Sequence, residues 1–275
     1  MTSSIPVKNV INSPVSSIPF NSQIQLILQW AKLGKSKYVC VANVHMLMEA
    51  YWQEKFASVL HKADLVTPDG MPLVWMLRLL GENSQDRVAG MEILLELSEK
   101  ASAQKFSVFF LGSQQSILDQ MKAKLTEQFP NLEIAGMEPL PFRPLTESED
   151  QALIKKVNES GAGLVFVSLG CPKQEYWMAE HKDKIQAVMI GLGGAFPVYA
   201  GIQKWAPRWV RESGLEWLYR LIQEPGRLWN RYSKTIPPFM WLAFKQLVAE
   251  YSFSLRTRLN YKLSALKGSA DDLAM

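Results

Sequence analysis

The sequence predicts an α/β fold: a Rossmann-like, mostly parallel sheet with helices on both faces, followed by a helical, basic C-terminal appendage. Short runs that are apolar throughout alternate with longer segments of helical periodicity, which is typical of a parallel sheet covered on both sides. Basic residues and Trp then concentrate after Gly201, which predicts the appendage. With 275 residues, 48% of them hydrophobic, the chain has room for one large domain and an addition to it.

Six apolar runs account for the predicted strands, because strands buried on both faces do not alternate apolar and polar residues. In chain order they are KYVCVAN (37–43), ADLVTP (63–68), FSVFFLG (106–112), LEIAG (132–136), GLVFVSLG (163–170) and QAVMIGLGG (186–194). The segments between them show the spacing of amphipathic helices. These segments are HMLMEAYWQEKFASVLHKA, MPLVWMLRLLG, SQQSILDQMKAKLTEQF, TESEDQALIKKVNES and CPKQEYWMAEHK.

The composition along the chain predicts four regions. They are a flexible N-terminal tail over 1–20, an α/β domain over 21–200, a helical appendage over 201–262, and a disordered tail over 263–275. The appendage carries eleven basic and four acidic residues, a net charge of +7, and five of the nine Trp. Such interleaving suits an interface with acidic lipid headgroups or with a partner, and equally a helical subdomain that packs its Trp on the sheet.

Several classes of protein and site are disfavoured by composition. The net charge of +4 does not indicate a nucleic acid partner. The three His and two Cys are far apart and form no metal-ligand spacing, and two scattered Cys suit a reducing cytoplasm. The N-terminus has no apolar segment of a secretory signal, and no run approaches the ~20 apolar residues of a spanning helix. The motif GLGGAF is not a complete GxGxxG, and no GxxxxGK[ST] occurs.

Polar and small residues that follow the predicted strands are candidate site residues, because ligands of open parallel sheets bind at the carboxyl ends of the strands. Asn43 ends the first strand and Asp69 ends the second. Pro-Asp-Gly is also an ordinary turn sequence, so Asp69 is either a turn residue or a carboxylate of the site. Candidates for substrate binding after later strands are Gly112, Ser113, Gly136, Gly170 and Gly193. Glycines there let a backbone approach a phosphate, although each also suits a tight turn.

Two further segments supply polar candidates. GCPKQEYWM places Lys173, Gln174 and Glu175 at the start of a helix directly after a strand. Gln174 suits a hydrogen bond to a sugar hydroxyl or a phosphate, whereas ordinary helix-start polarity also explains the segment. Arg87 precedes a Gly and a helix; aimed at the sheet edge it suits a diphosphate, and otherwise it is a solvated loop residue. Taken together, the candidates predict a nucleotide or sugar-nucleotide site.

Eight segments, in this order, resemble the WecG/TagA/CpsF family of bacterial glycosyltransferases. They are VANVHMLMEA, ADLVTPDGMPLVW, RVAGMEIL, VFFLGS, GLVFVSLGCPKQEYWM, GLGGAFPVYAG, WAPRWVRESGLEWLYRL and EPGRLWNRY. The resemblance covers nearly everything from about Lys37 to Tyr232.

The resemblance implies an inverting, metal-independent hexosyltransferase that needs no cofactor beyond its donor substrate. A sugar passes from a nucleotide donor, commonly UDP-linked, to a sugar on a membrane-anchored polyprenyl diphosphate, in the synthesis of cell-wall polymers or exopolysaccharide. It implies a bacterial protein that is peripheral on the cytoplasmic, inner face of the plasma membrane. It further implies that the appendage contacts the anionic membrane surface and completes the active site.

Specific residues match the motifs of the family. Asp69 matches the Asp that is proposed as general base, which would take the proton of the acceptor hydroxyl. Asn43 matches the Asn of T-x-N, Arg87 the Arg of R-x-x-G, and Gln174 the Gln of P-K-Q-E. The arginines of the appendage signature are Arg220, Arg227 and Arg231. They either stabilise the departing diphosphate or bind lipid phosphates.

Three positions depart from the family pattern and leave the identity of the donor open. Val41 stands where T-x-N has its Thr, Pro197 stands where an Asp often follows Phe, and Trp205 replaces the usual basic residue. Two other functions also remain open: a nucleotide-dependent oxidoreductase or epimerase, and a non-catalytic peripheral membrane protein on a transferase fold. An incomplete glycine fingerprint disfavours the first, whereas the missing Thr leaves the second open.

Overall fold

The computed structural model describes residues 5–141 and 143–272, and in the last helix it describes side chains as far as Phe253 and at Arg256. The strands are β1 (Val7–Val10), β2 (Ser13–Ser16), β3 (Lys37–Ala42), β4 (Leu65–Pro68), β5 (Ser107–Gly112), β6 (Glu133–Glu138), β7 (Leu164–Ser168) and β8 (Val188–Gly191). The helices of the α/β domain are α1 (Phe20–Lys32), α2 (Val44–Trp52), α3 (Glu54–Lys62), α4 (Met71–Leu79), α5 (Gly90–Gln104), α6 (Gln115–Gln128), α7 (Glu147–Glu159), α8 (Lys173–His181) and α9 (Ala195–Ala200). Those of the appendage are α10 (Arg208–Glu212), α11 (Glu216–Gln223) and α12 (Pro225–Asp272).

The predicted α/β fold is confirmed, with a six-stranded parallel sheet in the order β4-β3-β8-β7-β5-β6. Alternate residues of β3 explain why its sequence is apolar throughout. Tyr38 and Cys40 point into one hydrophobic core, and Val39 and Val41 point into the other. Helices α2, α3, α4, α7 and α8 cover the first face, whereas α1, α5, α6 and α9 cover the second.

The strand order brings the carboxyl ends of β4, β3, β8 and β7 side by side. Backbone hydrogen bonds tie together the loops that follow these strands. The Asp69 N–H donates to the Ala42 carbonyl (2.8 Å), and the Leu192 N–H donates to the Val167 carbonyl (2.8 Å). The residues directly after these strands therefore share one fixed edge, where ligands of open α/β sheets bind.

The N-terminal segment is an antiparallel hairpin of β1 and β2, so the prediction of a flexible tail over 1–20 is wrong for residues 7–16. Val10 and Val15 are fully buried. Ser16 Oγ accepts a hydrogen bond from the Val66 N–H of β4 (3.2 Å), and Gln246 of α12 pairs with the Ile11 N–H and the Asn9 carbonyl. Residues 1–4 lie outside the described residues.

The appendage is helical, as predicted, and begins after Gly201 ends α9 in the left-handed conformation (φ 88°). Phe239 and Ala243 of α12 pack into the core cluster that contains α2, so the appendage returns onto the α/β domain. Helix α12 continues to Asp272, through most of the segment 263–275 that was predicted to be disordered, and residues 273–275 lie outside the described residues. In the part of the chain that the structure describes, no helix is both long and apolar enough to cross a membrane.

Candidate active site

A cleft of about 1240 Å³ lies over the shared edge of the sheet and under the appendage. Its lining comes from the loops after β3, β4, β7 and β8, from the loop between β6 and α7, and from α11 and α12. Cationic side chains gather in it: Arg87, Arg143, Lys173, Arg211, Arg220, Arg227 and Arg231. Within the described residues, no three His, Cys, Asp or Glu side chains are grouped as metal ligands.

Asp69 lies at the end of β4 and lines the cleft. Its carboxylate accepts no hydrogen bond from any described residue. Burial raises the pKa of this carboxyl to about 7, and the charge of Glu216 adds to the rise, whereas Arg87 and Arg220 oppose it. Asp69 is therefore a carboxylate of the cleft in the connection from β4 to α4, and its proton affinity suits exchange near neutral pH.

Asn43 lines the cleft and begins α2 as its N-cap. Its Oδ1 accepts a hydrogen bond from the Met46 N–H (3.2 Å), which satisfies one of the free donors of the first turn. This bond assigns the side-chain oxygen to the protein and leaves the amide N–H groups for a ligand.

Gln174 occupies the floor of the cleft between the loops after β7 and β8. Its Oε1 accepts a hydrogen bond from the Gly170 N–H (3.2 Å), and its Nε2 donates to Oε1 of Glu175 (2.7 Å). A Cβ at Gly191 would lie 2.8 Å from Nε2, and a Cβ at Gly193 would lie 2.9 Å from Oε1. Both glycines are therefore required for the carboxamide to fit in this position.

Glu175 is fully buried behind Gln174 and does not line the cleft, which corrects the prediction that it contacts substrate. Its Oε2 has no hydrogen-bond partner among the described residues. Burial raises the pKa of this carboxyl to about 7, against the hydrogen bond from Gln174. Lys173, one residue earlier, does line the cleft.

Arg87 lines the cleft but is not a solvated loop residue or a free diphosphate ligand. Its Nη1 lies 2.7 Å from Oε2 of Glu216 on α11, and its Nη2 lies 2.6 Å from Oε1 of Glu92 on α5. Nη1 of Arg211 also lies 2.6 Å from Oε1 of Glu92, and its guanidinium stacks 4.1 Å from the ring centre of Trp205. These ion pairs connect the α/β domain to the appendage.

The three predicted arginines of the appendage signature all line the cleft. Arg220 lies against the loop after β8, because a Cβ at Gly194 would be 2.8 Å from its Nη2. Arg227 is paired with Glu224. Arg231 is partly buried, which lowers its pKa, and its Nε has no hydrogen-bond partner among the described residues. A cationic group held without a partner is prepared to bind an anion.

The predicted glycines separate into two groups. Gly170 and Gly193 line the cleft, as does Ser113. Gly112 and Gly136 do not, and both serve packing: a Cβ would lie 2.4 Å from the Ser168 carbonyl oxygen in the first case and 2.3 Å from the Phe109 ring in the second. The positions of these two glycines do not support the prediction that they bind substrate, because Gly112 of β5 lies against β7 and Gly136 of β6 lies against β5.

Sequence reasoning missed several residues of the cleft. His45 is the second residue of α2, and burial lowers its pKa to about 4, so it is neutral at pH 7. Glu216 and Arg211 also line the cleft, whereas the sequence indicates only their contribution to the charge of the appendage. Their only feature in the sequence is that both lie in the appendage segment WVRESGLEWLYRL. The pairing of Glu216 with Arg87 depends on contacts between residues distant in sequence.

Comparison with known proteins gives a match between residues 8–252 and the model of the glycosyl transferase WecG/TagA/CpsF family. The chain is 34% identical over 213 residues to an N-acetylglucosaminyldiphosphoundecaprenol N-acetyl-beta-D-mannosaminyltransferase of Bacillus spizizenii, covering 77% of this chain and 80% of that protein. It is 31% identical over 210 residues to the protein of the same name from Bacillus subtilis, covering 76% of this chain and 79% of that protein. It is 27% identical over 207 residues to a Staphylococcus aureus protein of that name, covering 74% of this chain and 78% of that protein.

Proposed function

This chain belongs to the glycosyl transferase WecG/TagA/CpsF family, and on that premise we propose that it transfers a sugar, with inversion, from a nucleotide donor, commonly UDP-linked, to a sugar on a polyprenyl diphosphate. The observation that carries the proposal is the position of Asp69. Its carboxylate lies at the carboxyl edge of the sheet, free of hydrogen bonds from the described residues, in a cleft that arginines surround.

Asp69 acts as the general base in this reaction. Its carboxylate accepts the proton of the acceptor hydroxyl while that oxygen forms a bond to the anomeric carbon of the donor. The bond from the anomeric carbon to the nucleotide diphosphate breaks on the opposite side, and its electron pair leaves with the diphosphate. A single displacement of this kind inverts the anomeric configuration. A base with a pKa of about 7 can accept the proton and release it to water at neutral pH.

Arg220, Arg227 and Arg231 stabilise the negative charge that develops on the departing diphosphate. All three line the cleft, and the guanidinium is the side chain best suited to a phosphate oxygen pair. In this proposal the arginines take the part that a divalent cation plays in other sugar transferases, so turnover continues in the presence of EDTA.

The names of the relatives support the acceptor class, because the Bacillus and Staphylococcus proteins are named for transfer to N-acetylglucosaminyldiphosphoundecaprenol. We extend the polyprenyl-diphosphate sugar acceptor, and with it a role in cell-wall polymer or exopolysaccharide synthesis, to this chain. The donor sugar is not extended, because Val41, Pro197 and Trp205 line the cleft and differ from the family pattern.

The appendage binds the anionic surface of the membrane that holds the acceptor, at its cytoplasmic face. Its net charge is +7, and it exposes large apolar side chains that a free surface would not favour. The exposed fraction reaches 69% for Trp209, 71% for Ile222 and 66% for Trp229. Trp at such positions prefers the boundary between lipid and water.

The test of the function is acceptor-dependent release of nucleotide diphosphate from a panel of nucleotide sugars, with a polyprenyl-diphosphate sugar in liposomes and EDTA present. The product's anomeric configuration is then read by NMR. We expect turnover with one donor and inversion at the anomeric carbon. Absence of turnover across the panel would favour a non-catalytic membrane protein, and retention of configuration would exclude the single displacement.

A further inference from the structure

One face of α12 lines the cleft along several turns. From Arg227 to Met240 the lining residues form adjacent pairs that recur every four positions, which places them on a single side of the helix. The first part of this face is cationic, since Arg227 and Arg231 belong to it. At this end the charge of Arg231 acts on Cys171, in the loop after β7, and on His45, in the first turn of α2.

The last part of the same face is apolar. It carries Ile236, Phe239 and Met240, and between Arg231 and Met240 the helix advances about 13 Å, at 1.5 Å per residue. Apolar side chains from the loop before α7 and from α8 line the cleft as well. We call this set the apolar arm of the cleft: Leu140, Leu145, Trp177, Ile236, Phe239 and Met240.

The two parts together match an amphiphile with a charged head and an apolar chain. A nucleotide sugar has no apolar segment that would favour the apolar arm over water, whereas an isoprenoid chain loses unfavourable contact with water there. We propose that the apolar arm binds the first isoprene units of the polyprenyl diphosphate acceptor, with the acceptor's own diphosphate among the cationic side chains of the cleft. The identity of this occupant rests on the proposed function.

The outer end of the apolar arm leads towards the lipid-facing part of the appendage. Met240 is 61% exposed although it lines the cleft, and the next residue, Trp241, is 62% exposed without lining it. Phe244 follows one turn later and is also exposed. A chain that leaves the arm past Met240 therefore emerges beside apolar side chains on the surface that we propose faces the membrane, and the rest of the chain stays in lipid.

The apolar arm then contributes to acceptor binding independently of the sugar and the diphosphate. An acceptor with a diphosphate and no lipid is expected to bind more weakly even when no membrane is present. The direct test is equilibrium binding in solution of two probes with the same head, farnesyl diphosphate and methyl diphosphate, by calorimetry below the concentration at which the lipid aggregates. We expect the wild type to bind farnesyl diphosphate about tenfold or more tightly, the scale for burying apolar side-chain surface.

A pair of variants locates the effect. Ile236→Gln combined with Met240→Gln makes the arm polar at positions that are not fully buried, so the fold is retained. Trp241→Gln combined with Phe244→Gln changes the same helix outside the cleft lining and is the matched control. We expect the arm variant to lose the preference for farnesyl over methyl diphosphate while its affinity for methyl diphosphate is unchanged, and the control variant to keep the preference.

Equal affinity of the wild type for the two probes, or equal loss of the preference in both variants, would overturn the proposal. Transfer assays separate it from the proposed function. If sugar transfer occurs with the same KM for lipid-bearing and lipid-free acceptors, the proposed role of the apolar arm is wrong and the proposed function stands. If farnesyl diphosphate binds as expected and no sugar donor turns over, the proposed function fails and the binding site stands.

Discussion

Nη1 of Arg87 lies 2.7 Å from Oε2 of Glu216, so an arginine of the α/β domain and a glutamate of the appendage form an ion pair beside Asp69. The two charges act on the pKa of Asp69 in opposite directions, since Glu216 raises it and Arg87 lowers it. Glu216 also lies one helical turn before Arg220 on α11. The pair therefore couples the docking of the appendage to the basicity of Asp69.

The dependence of kcat/KM on pH tests this coupling. Asp69 must be ionised to accept a proton, so kcat/KM should rise with pH to a plateau above its pKa of about 7. Glu216→Gln removes a negative charge and should move the rise to lower pH, whereas Arg87→Gln removes a positive charge and should move it to higher pH. Shifts in the same direction for both variants would contradict the electrostatic account.

Gly194→Ala tests the position of Arg220. The added Cβ would lie 2.8 Å from Nη2 of Arg220, and Gly194 has a φ of −70°, which alanine adopts without strain. The guanidinium must therefore move, and we expect kcat to fall by about tenfold or more, the scale of misplaced transition-state contacts. Gly226→Ala is the control, because nothing lies within 4 Å of its Cβ position. Equal kcat in both variants would argue against a role for Arg220.

Binding to anionic liposomes tests the surface of the appendage. The wild type should sediment with vesicles that contain acidic lipid, and less so as salt rises. Trp209→Ser combined with Trp229→Ser should weaken the binding, whereas Trp52→Ser, an exposed Trp of the α/β domain, should not. Equal sedimentation with and without acidic lipid would exclude this surface as the membrane contact.

The sheet was predictable from sequence because its strands are buried on both faces, and burial leaves uninterrupted apolar runs such as VFFL at 108–111. The hairpin was not, because its strands have four residues each and β2 contains Pro14. Its stability comes from Val66 and Gln246, which are distant in sequence. Short strands held by long-range contacts leave little local signal.

In the candidate site, too, some features were predictable from local sequence and others depend on long-range contacts. Asp69 and Gln174 were predictable because the ends of parallel strands meet at one edge. The pairing of Arg87 with Glu216 was not, since it joins residues 129 positions apart. The apolar arm was not predicted either, because Ile236 and Met240 show no pattern that distinguishes lining a cleft from packing in a core.

The stability of Asp69→Asn should also depend on pH. A carboxyl whose pKa is raised from 3.8 to about 7 in the folded protein loses its proton at a cost to the folded state, so the free energy of unfolding of the wild type falls as pH rises through that window. The side chain of Asn does not ionise, so it adds no dependence of stability on pH. Above pH 7 the variant should be the more stable protein, by up to about 4 kcal/mol at about 1.4 kcal/mol per pKa unit, and the difference should shrink towards pH 4. A pH-independent difference would contradict the raised pKa.

Turnover of wild type and Asp69→Asn, measured side by side with a polyprenyl-diphosphate sugar acceptor and EDTA present, tests the central claim most directly. A cooperative thermal unfolding transition of the variant is the control that shows it is folded. We predict that the variant loses about 10²-fold or more in kcat, the scale for removal of a general base. Equal turnover by the two proteins would show that Asp69 is not the general base, and another side chain would have to accept the proton.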